Sequence, residues 1–187
     1  MSAATDQGPA TDQGITARRA LHDALAAVPD PEIPVLTLAD LGVLRSIEEI
    51  GGRVVVTITP TYSGCPAMAH MATELQAVLE RAGVEGEVRT VLSPAWTTDW
   101  MSAEGRAKLQ AYGIAPPPAA PADGPVPVAL GHRRGAPGDS RQPPAVHCPQ
   151  CHSARTEVVS EFGSTACKAL YRCLDCLEPF DYFKGLH

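Results

Sequence analysis

An excess of basic charge and a long apolar run are both missing from this sequence. Its 187 residues hold 15 Lys and Arg against 21 Asp and Glu, a formal net charge of −6. That balance gives no basic footprint for nucleic-acid phosphates and no polybasic grip on anionic lipid. No stretch approaches the ~18–20 apolar residues of a membrane span. Met1–Gly14 shows neither a positive n-region nor an apolar h-region, so no secretory signal is legible and the chain is expected in the cytoplasm. A G-x4-G-K-S/T phosphate loop is absent, and no Ser-His-Asp order can be assembled. In a reducing compartment, the six cysteines read as metal ligands or reactive thiols rather than as a disulfide framework.

What is present divides the chain into four parts. Residues 1–14 contain a tandem duplication, Ala4-Thr-Asp-Gln-Gly-Pro9 followed by Ala10-Thr-Asp-Gln-Gly14, too polar and short to build a core, and read as a disordered lead-in. Residues 15–114 alternate helix and strand. Leu21, Leu25 and Val28 recur at helical spacing behind Thr16, a candidate N-cap. Val43–Ile50, Gly51-Gly52 and Arg53–Thr59 spell a hairpin, with Val54, Val56 and Ile58 as its buried face. A second helix starts at Pro66, with the stripe Met68, Met71, Leu75, Val78, Leu79 and Ala82 ended by Gly83. Glu87–Leu92 is a third strand, and Trp96–Tyr112 holds a third helix carrying Met101, Leu109 and Tyr112. The order predicts a small α/β (α+β) mixed-sheet sandwich. Residues 115–146 carry nine prolines without periodicity and read as a linker. Residues 147–187 hold five of the six cysteines.

Cys148-Pro-Gln-Cys151 and Cys173-Leu-Asp-Cys176 are two C-x2-C knuckles with 21 residues between them. Two thiolates three positions apart on a tight turn reach one tetrahedral ion, and a hairpin brings the second pair. Thr156–Phe162 and Ala169–Arg172 supply that hairpin around Gly163-Ser-Thr165. Zinc in a closed four-sulfur ribbon is the expected occupant. A four-cysteine iron site or a [2Fe–2S] cluster uses the same ligand type. His147 and His152 border the first knuckle as substitute ligands or as exposed side chains. Cys148-Pro-Gln-Cys-His152 also spells a c-type haem attachment, but that reading leaves Cys173 and Cys176 without a role. A tail of this size has too little core to hold itself, so the metal supplies folding energy and leaves no open position for chemistry.

Two cysteines remain. Cys65, in Thr59-Pro-Thr-Tyr-Ser-Gly-Cys-Pro66, sits where a strand ends and a helix begins, a position that favours a thiolate; otherwise it is a core cysteine. Cys167 lies beside Lys168, either as an accessory thiol with a lowered pKa or as a small buried hydrophobe. Asp30-Pro-Glu32 and Asp40-Leu-Gly42 are turn chemistry or the acidic surroundings of Cys65. His70 reads as solvated, and Met68 and Met71 as core.

Asp-Pro-Glu-Ile-Pro (30–34), Asp-Leu-Gly-Val-Leu (40–44) and the Cys65 motif resemble the metal–sulfur cluster assembly family typified by SufT. The run from Trp96-Thr97 to Pro117, with Phe162-Gly-Ser-Thr-Ala-Cys-Lys-Ala-Leu-Tyr-Arg-Cys173 and Glu178-Pro-Phe180, narrows the resemblance. It is similar to the PaaD (PaaJ) family of accessory subunits encoded with the phenylacetyl-CoA epoxidase of aerobic phenylacetate degradation. The resemblance implies a maturation factor rather than a catalyst, assisting Fe–S cluster assembly or insertion. Its implied partners are the reductase or oxygenase subunits of the epoxidase. Cys65 is then the functional thiolate or labile Fe–S ligand, with Asp30, Glu32 and Asp40 lining or shaping its surroundings. A transient cluster is held between Cys65 of two chains or between Cys65 and a client thiol. Cys148, Cys151, Cys173 and Cys176 hold the structural zinc. An adaptor with Cys65 inert, a thiol enzyme using Cys65 and Cys167, and a ribbon-based nucleic-acid binder are the competing classes.

Overall fold

Prolines, glycines and one hairpin set the course of the chain. The computed structural model describes residues 12–118 and 145–185; most of the duplicated N-terminal run and most of the expected linker lie outside them. Helix α1 spans Asp12–Ala26. It therefore begins inside the expected lead-in, and Thr16 is an interior residue rather than its N-cap. It ends before Pro29, which holds Val28 out of helical conformation.

Strands β1 (Leu44–Ile50) and β2 (Arg53–Ile58) pair antiparallel, with Ile50 opposite Arg53. Gly51 and Gly52 both have positive φ, 61° and 80°, as the mirror-image two-residue turn requires. Helix α2 (Met68–Arg81) starts two residues beyond Pro66 and buries Met71, Leu75, Val78 and Leu79. It crosses to β3 (Gly86–Thr90), which lies parallel to β2 with Val56 opposite Val88. A parallel neighbour needs such a crossover. The sheet order is β1-β2-β3. A short 3-10 turn at Thr98–Trp100 leads to α3 (Ala103–Tyr112), capped by the Ser102 hydroxyl, which accepts from the Gly105 amide, and closed by Gly113. Leu109 and Met101 are buried, but Tyr112 is 57% exposed; the expected stripe is corrected there.

Residues 29–43 form the floor of the core rather than a surface connection. Three prolines prevent regular structure, yet Ile33, Leu36, Leu38, Leu41 and Val43 are all buried. The Asp30 carboxylate accepts from the amides of Glu32 (2.9 Å) and Ile33 (2.7 Å). A bridge between Pro29 and Thr37 closes the loop. Gly42 has φ +68°, and a Cβ there would overlap the Trp100 carbonyl.

The second sheet has the order β4-β7-β6-β5. Strands β5 (Thr156–Ser160), β6 (Lys168–Cys173) and β7 (Pro179–Phe183) form an antiparallel meander. Strand β4 (Ile114–Ala115) adds in parallel to β7. Ala115, expected to begin the linker, thus belongs with Ile114 to the fourth strand of the ribbon sheet, and the tail is docked on the first domain. Phe183 is 1% exposed and belongs to the same hydrophobic cluster as Leu25, Leu41 and Met71. Its ring meets Trp96 edge-on at 6.1 Å, and the Trp96 indole donates to the Leu41 carbonyl at 2.9 Å. Among the described residues, no helix is long and apolar enough to cross a membrane.

Candidate functional site

The knuckles form one centre. One ligand atom from each of Cys148, Cys151, Cys173 and Cys176 lies within 4.8 Å of all the others. The Cys148–Cys176 sulfurs are 3.7 Å apart and the Cys151–Cys173 sulfurs 3.5 Å. A tetrahedral ion with metal–sulfur bonds of about 2.3 Å sets its ligands about 3.8 Å apart, so the four thiols fit one metal ion. Both knuckles turn the same way: His152 and Leu177, each following the second cysteine of its knuckle, have φ of 61° and 66°. The Asp175 amide donates to the Cys173 sulfur at 3.4 Å. Donation from the Cys176 and Asp175 amides holds the Cys173 thiol down at about 6, whereas the crowded neighbouring sulfurs push Cys151 and Cys176 up, a repulsion that a bound cation relieves. His147 and His152 are exposed and lie outside the four-sulfur set.

The second site lies between the floor loop, the start of α2 and the end of β7. Cys65 precedes α2, and Cys167 is carried in by the turn before β6. They line one small cavity with Asp30, Glu32, Thr61 and Phe183, over a floor that includes Leu41 and Met71; its volume is about 20 Å³. That is room for about one water molecule. The Thr165 hydroxyl lies 3.0 Å from the Cys167 sulfur. The Lys184 amide donates to the Cys167 carbonyl at 2.9 Å, tying that turn to the end of β7. Lys168 is buried, with its ammonium 3.4 Å from Asp181.

The electrostatics reverse one expectation. Burial pushes the Cys65 thiol up, helped by Cys167, Asp30 and Glu32; the Ala67 amide alone pulls the other way. Helix α2 begins three residues downstream, too far for its terminus to dominate. Burial likewise pushes Cys167 up, and neither the Thr165 hydroxyl nor the Lys168 charge compensates. Asp30 is raised as well, because burial outweighs its two amide bonds. Both thiols are therefore protonated at neutral pH. Alkylation of metal-free Cys65 by iodoacetamide should be slower at pH 7 than that of free cysteine, and should rise only as pH passes above the ordinary thiol range. Rapid alkylation at pH 7 would contradict this.

Asp40 does not line the cavity, which corrects its expected place. It pairs reciprocally with Thr37: the Asp40 carboxylate accepts from the Thr37 amide and the Thr37 hydroxyl from the Asp40 amide, both at 3.0 Å. It also accepts from Lys108 Nζ at 2.8 Å and from the Ser102 hydroxyl at 3.2 Å. Burial raises its pKa, but Lys108 and Thr37 outweigh it and hold the carboxyl below the usual range. The residue fixes α3 to the floor loop. Asp40→Ala should lose about 1–2 kcal/mol of stability while leaving Cys65 alkylation unchanged. The stabilisation Asp40 gives is present above the ordinary carboxylate pKa and is lost as pH falls through its lowered folded value. His70 is exposed and lines no part of the cavity. Phe183, absent from the sequence reading of the site, had a signal: Phe180, Tyr182 and Phe183 put aromatics on both faces of β7, as a strand covered on both sides requires.

Residues 133–184 match the family described as PaaD zinc beta ribbon domain, and residues 18–93 match the family described as Iron-sulfur cluster assembly protein. The chain is 48% identical over 161 residues to a subunit of the "Putative 1,2-phenylacetyl-CoA epoxidase" of Escherichia coli (strain K12), covering 86% of this chain and 88% of that protein. The chain belongs to the PaaD family. It is also 36% identical over 89 residues to "Fe-S protein maturation auxiliary factor" of Porphyromonas gingivalis (strain ATCC BAA-308 / W83), across 46% of this chain and 83% of that one. A crystal structure of a DUF59 domain from Bacillus anthracis aligns at 27% identity and a TM-score of 0.46, covering 51% of this chain and 92% of that one. The stretch 18–93 that matches the assembly family carries Asp30, Glu32 and Cys65. The PaaD ribbon carries the metal centre and Cys167. The cavity is therefore built from both halves of this PaaD-family chain.

Proposed function

We propose that the chain is an accessory maturation factor of the phenylacetyl-CoA epoxidase system, assisting assembly or insertion of an Fe–S cluster in the reductase subunit, with Cys65 as the working thiolate. The observation that carries this reading is the joint cavity: the assembly-type domain supplies Cys65 between acidic residues, and the PaaD-type ribbon closes over it. The ribbon's ion is zinc in a closed, structural role. The ribbon shapes the surface that meets the epoxidase subunits, in the cytoplasm. A protonated, half-buried thiol suits exchangeable ligation, since it gives up its proton only when a metal or a client's cluster is offered.

The test is the iron and sulfide content of the reductase purified from cells whose only copy of this gene encodes Cys65→Ser. Loss of cluster occupancy and of growth on phenylacetate is expected, with the oxygenase subunit made at its normal level. Full occupancy in the variant would overturn the reading. The adaptor alternative has one observation in its favour: Val158, Val159 and Phe162 are 47%, 55% and 66% exposed on the ribbon's outer strand and turn. In that case Cys65→Ser is silent and polar substitutions at Val159 and Phe162 are not.

A further inference from the structure

The first sheet ends in an open edge. Its order β1-β2-β3 leaves β3 (Gly86–Thr90) bonded to β2 alone, in parallel register. The Val54 amide donates to the Glu85 carbonyl and the Val91 amide to the Ile58 carbonyl, both at 2.9 Å. Backbone groups alternate in direction along such a strand, so residues 85, 87, 89 and 91 turn theirs toward β2. Gly86, Val88 and Thr90 turn theirs outward, and among the described residues no strand meets them. Side chains alternate as well. Val88 stands beside Val56 on the side of α2, whereas Glu87 stands beside Val55 and Arg89 beside Thr57 on the other face. Glu87 and Arg89 pair with each other there.

We propose that the β3 edge binds the β3 edge of a second copy of this chain, antiparallel, so that their three-stranded sheets join into one. An open strand edge takes another strand, and the charges favour this one. Outward residues must meet outward residues for the ladder to bond, which restricts the register to a few steps. Setting Val88 opposite its own copy places Glu87 opposite Arg89 of the second copy, and Arg89 opposite its Glu87. One step toward Gly86 sets Glu87 against Glu87, and one step toward Thr90 sets Arg89 against Arg89. Like charges directly opposite destabilise a strand pair and unlike charges stabilise it, so the register centred on Val88 wins. In that register Val88 exchanges backbone bonds with its copy, and Gly86 does so with Thr90. The Glu–Arg positions fall between these bonded pairs, where side chains come closest. Space for the second copy is present too: a groove of about 380 Å³ lies between Val88 and the Ala72, Gln76 and Ala77 side of α2. The alanines there let the second copy's helix approach. No residue of this groove lines the Cys65 cavity, so the inference stands apart from the maturation reading.

The experiment is sedimentation equilibrium of the full-length, zinc-loaded protein over a range of concentrations. The ribbon's ion and the far-ultraviolet spectrum report that each variant is folded. Wild type should be a dimer that weakens as salt is raised. Glu87→Arg and Arg89→Glu should each raise the dissociation constant about tenfold or more, since each sets like charges opposite. The double variant, Glu87→Arg with Arg89→Glu, should recover the dimer, because it only exchanges the ends of each pair. Val88→Pro removes an outward amide without touching the ladder to β2 and should leave a monomer. Should Val88→Pro not fold, the charge exchange alone decides. A monomeric wild type would overturn the proposal, as would a dimer indifferent to both charge reversals, or a folded double variant that does not recover. A wild type that stays monomeric yet binds an epoxidase subunit through this edge would assign the edge to that subunit and overturn the proposal equally.

Discussion

Stripping the ribbon's ion, or replacing Cys173 by Ala, should unfold the ribbon and expose Cys65 together with Cys167. The ribbon's own hydrophobic cluster is four buried residues, Ala115, Cys148, Cys173 and Phe180, flanked by Val146, Tyr171 and Tyr182. Two of the four are metal ligands. The aromatic packing of Tyr171 on Phe180 at 5.9 Å and on Tyr182 at 5.3 Å adds about 0.5–1.5 kcal/mol per pair. That is small beside the ordering entropy of some forty residues, roughly 1–2 kcal/mol each for the backbone. Structural zinc in comparable small sites binds with an apparent free energy of about 10–16 kcal/mol at neutral pH, so the ion decides whether the ribbon folds. Chelation should therefore remove the strand signal of the ribbon from the far-ultraviolet spectrum. It should also raise the alkylation rate of Cys65, since Cys167 and Phe183 no longer cover its cavity. Unchanged Cys65 protection in the chelated protein would show that the ribbon does not close the cavity.

The elements that follow local rules were readable in the sequence. The Gly51-Gly52 hairpin, the α2 stripe ending at Gly83 and the two knuckles each depend on residues close together in the chain, and each stands in the structure. Errors fell where long-range contacts decide. Asp40 entered the thiol site through its Asp-Leu-Gly motif and the family resemblance; in the structure its side chain is held by Thr37, Ser102 and Lys108 and lies outside the cavity lining. The stretch 115–118 looked like linker because of its prolines, yet Ala115 pairs with Tyr182. Arg106 donates to the Pro117 carbonyl at 2.8 Å. A two-residue strand has no periodicity of its own to read. Cys65 was expected to be acidified by a helix terminus, which is a local argument. The burial that reverses the shift comes partly from residues about a hundred positions away.

Phe183→Ala should be among the most damaging substitutions outside the cysteines. The ring sits on the last strand of the ribbon yet packs in the core of the first domain, edge-on to Trp96. Strand alternation explains how: Phe180 faces the ribbon's own cluster, and Phe183, an odd number of residues later, faces the opposite way. Truncating a fully buried phenylalanine costs about 3–5 kcal/mol, which for a domain of this size corresponds to a fall in Tm of about 6–20 °C. Its location adds a second readout that a bulk core residue would lack. Phe183 also lines the Cys65 cavity, so its removal enlarges that space, and the alkylation of both cavity thiols should speed up below the new Tm. Leu79, equally buried but outside the cavity lining, is the control: Leu79→Ala should lower Tm by a comparable 2–5 kcal/mol equivalent without that acceleration. Equal acceleration in both variants would mean that Phe183 acts through global stability alone, and that the ribbon's last strand does not seal the thiol site.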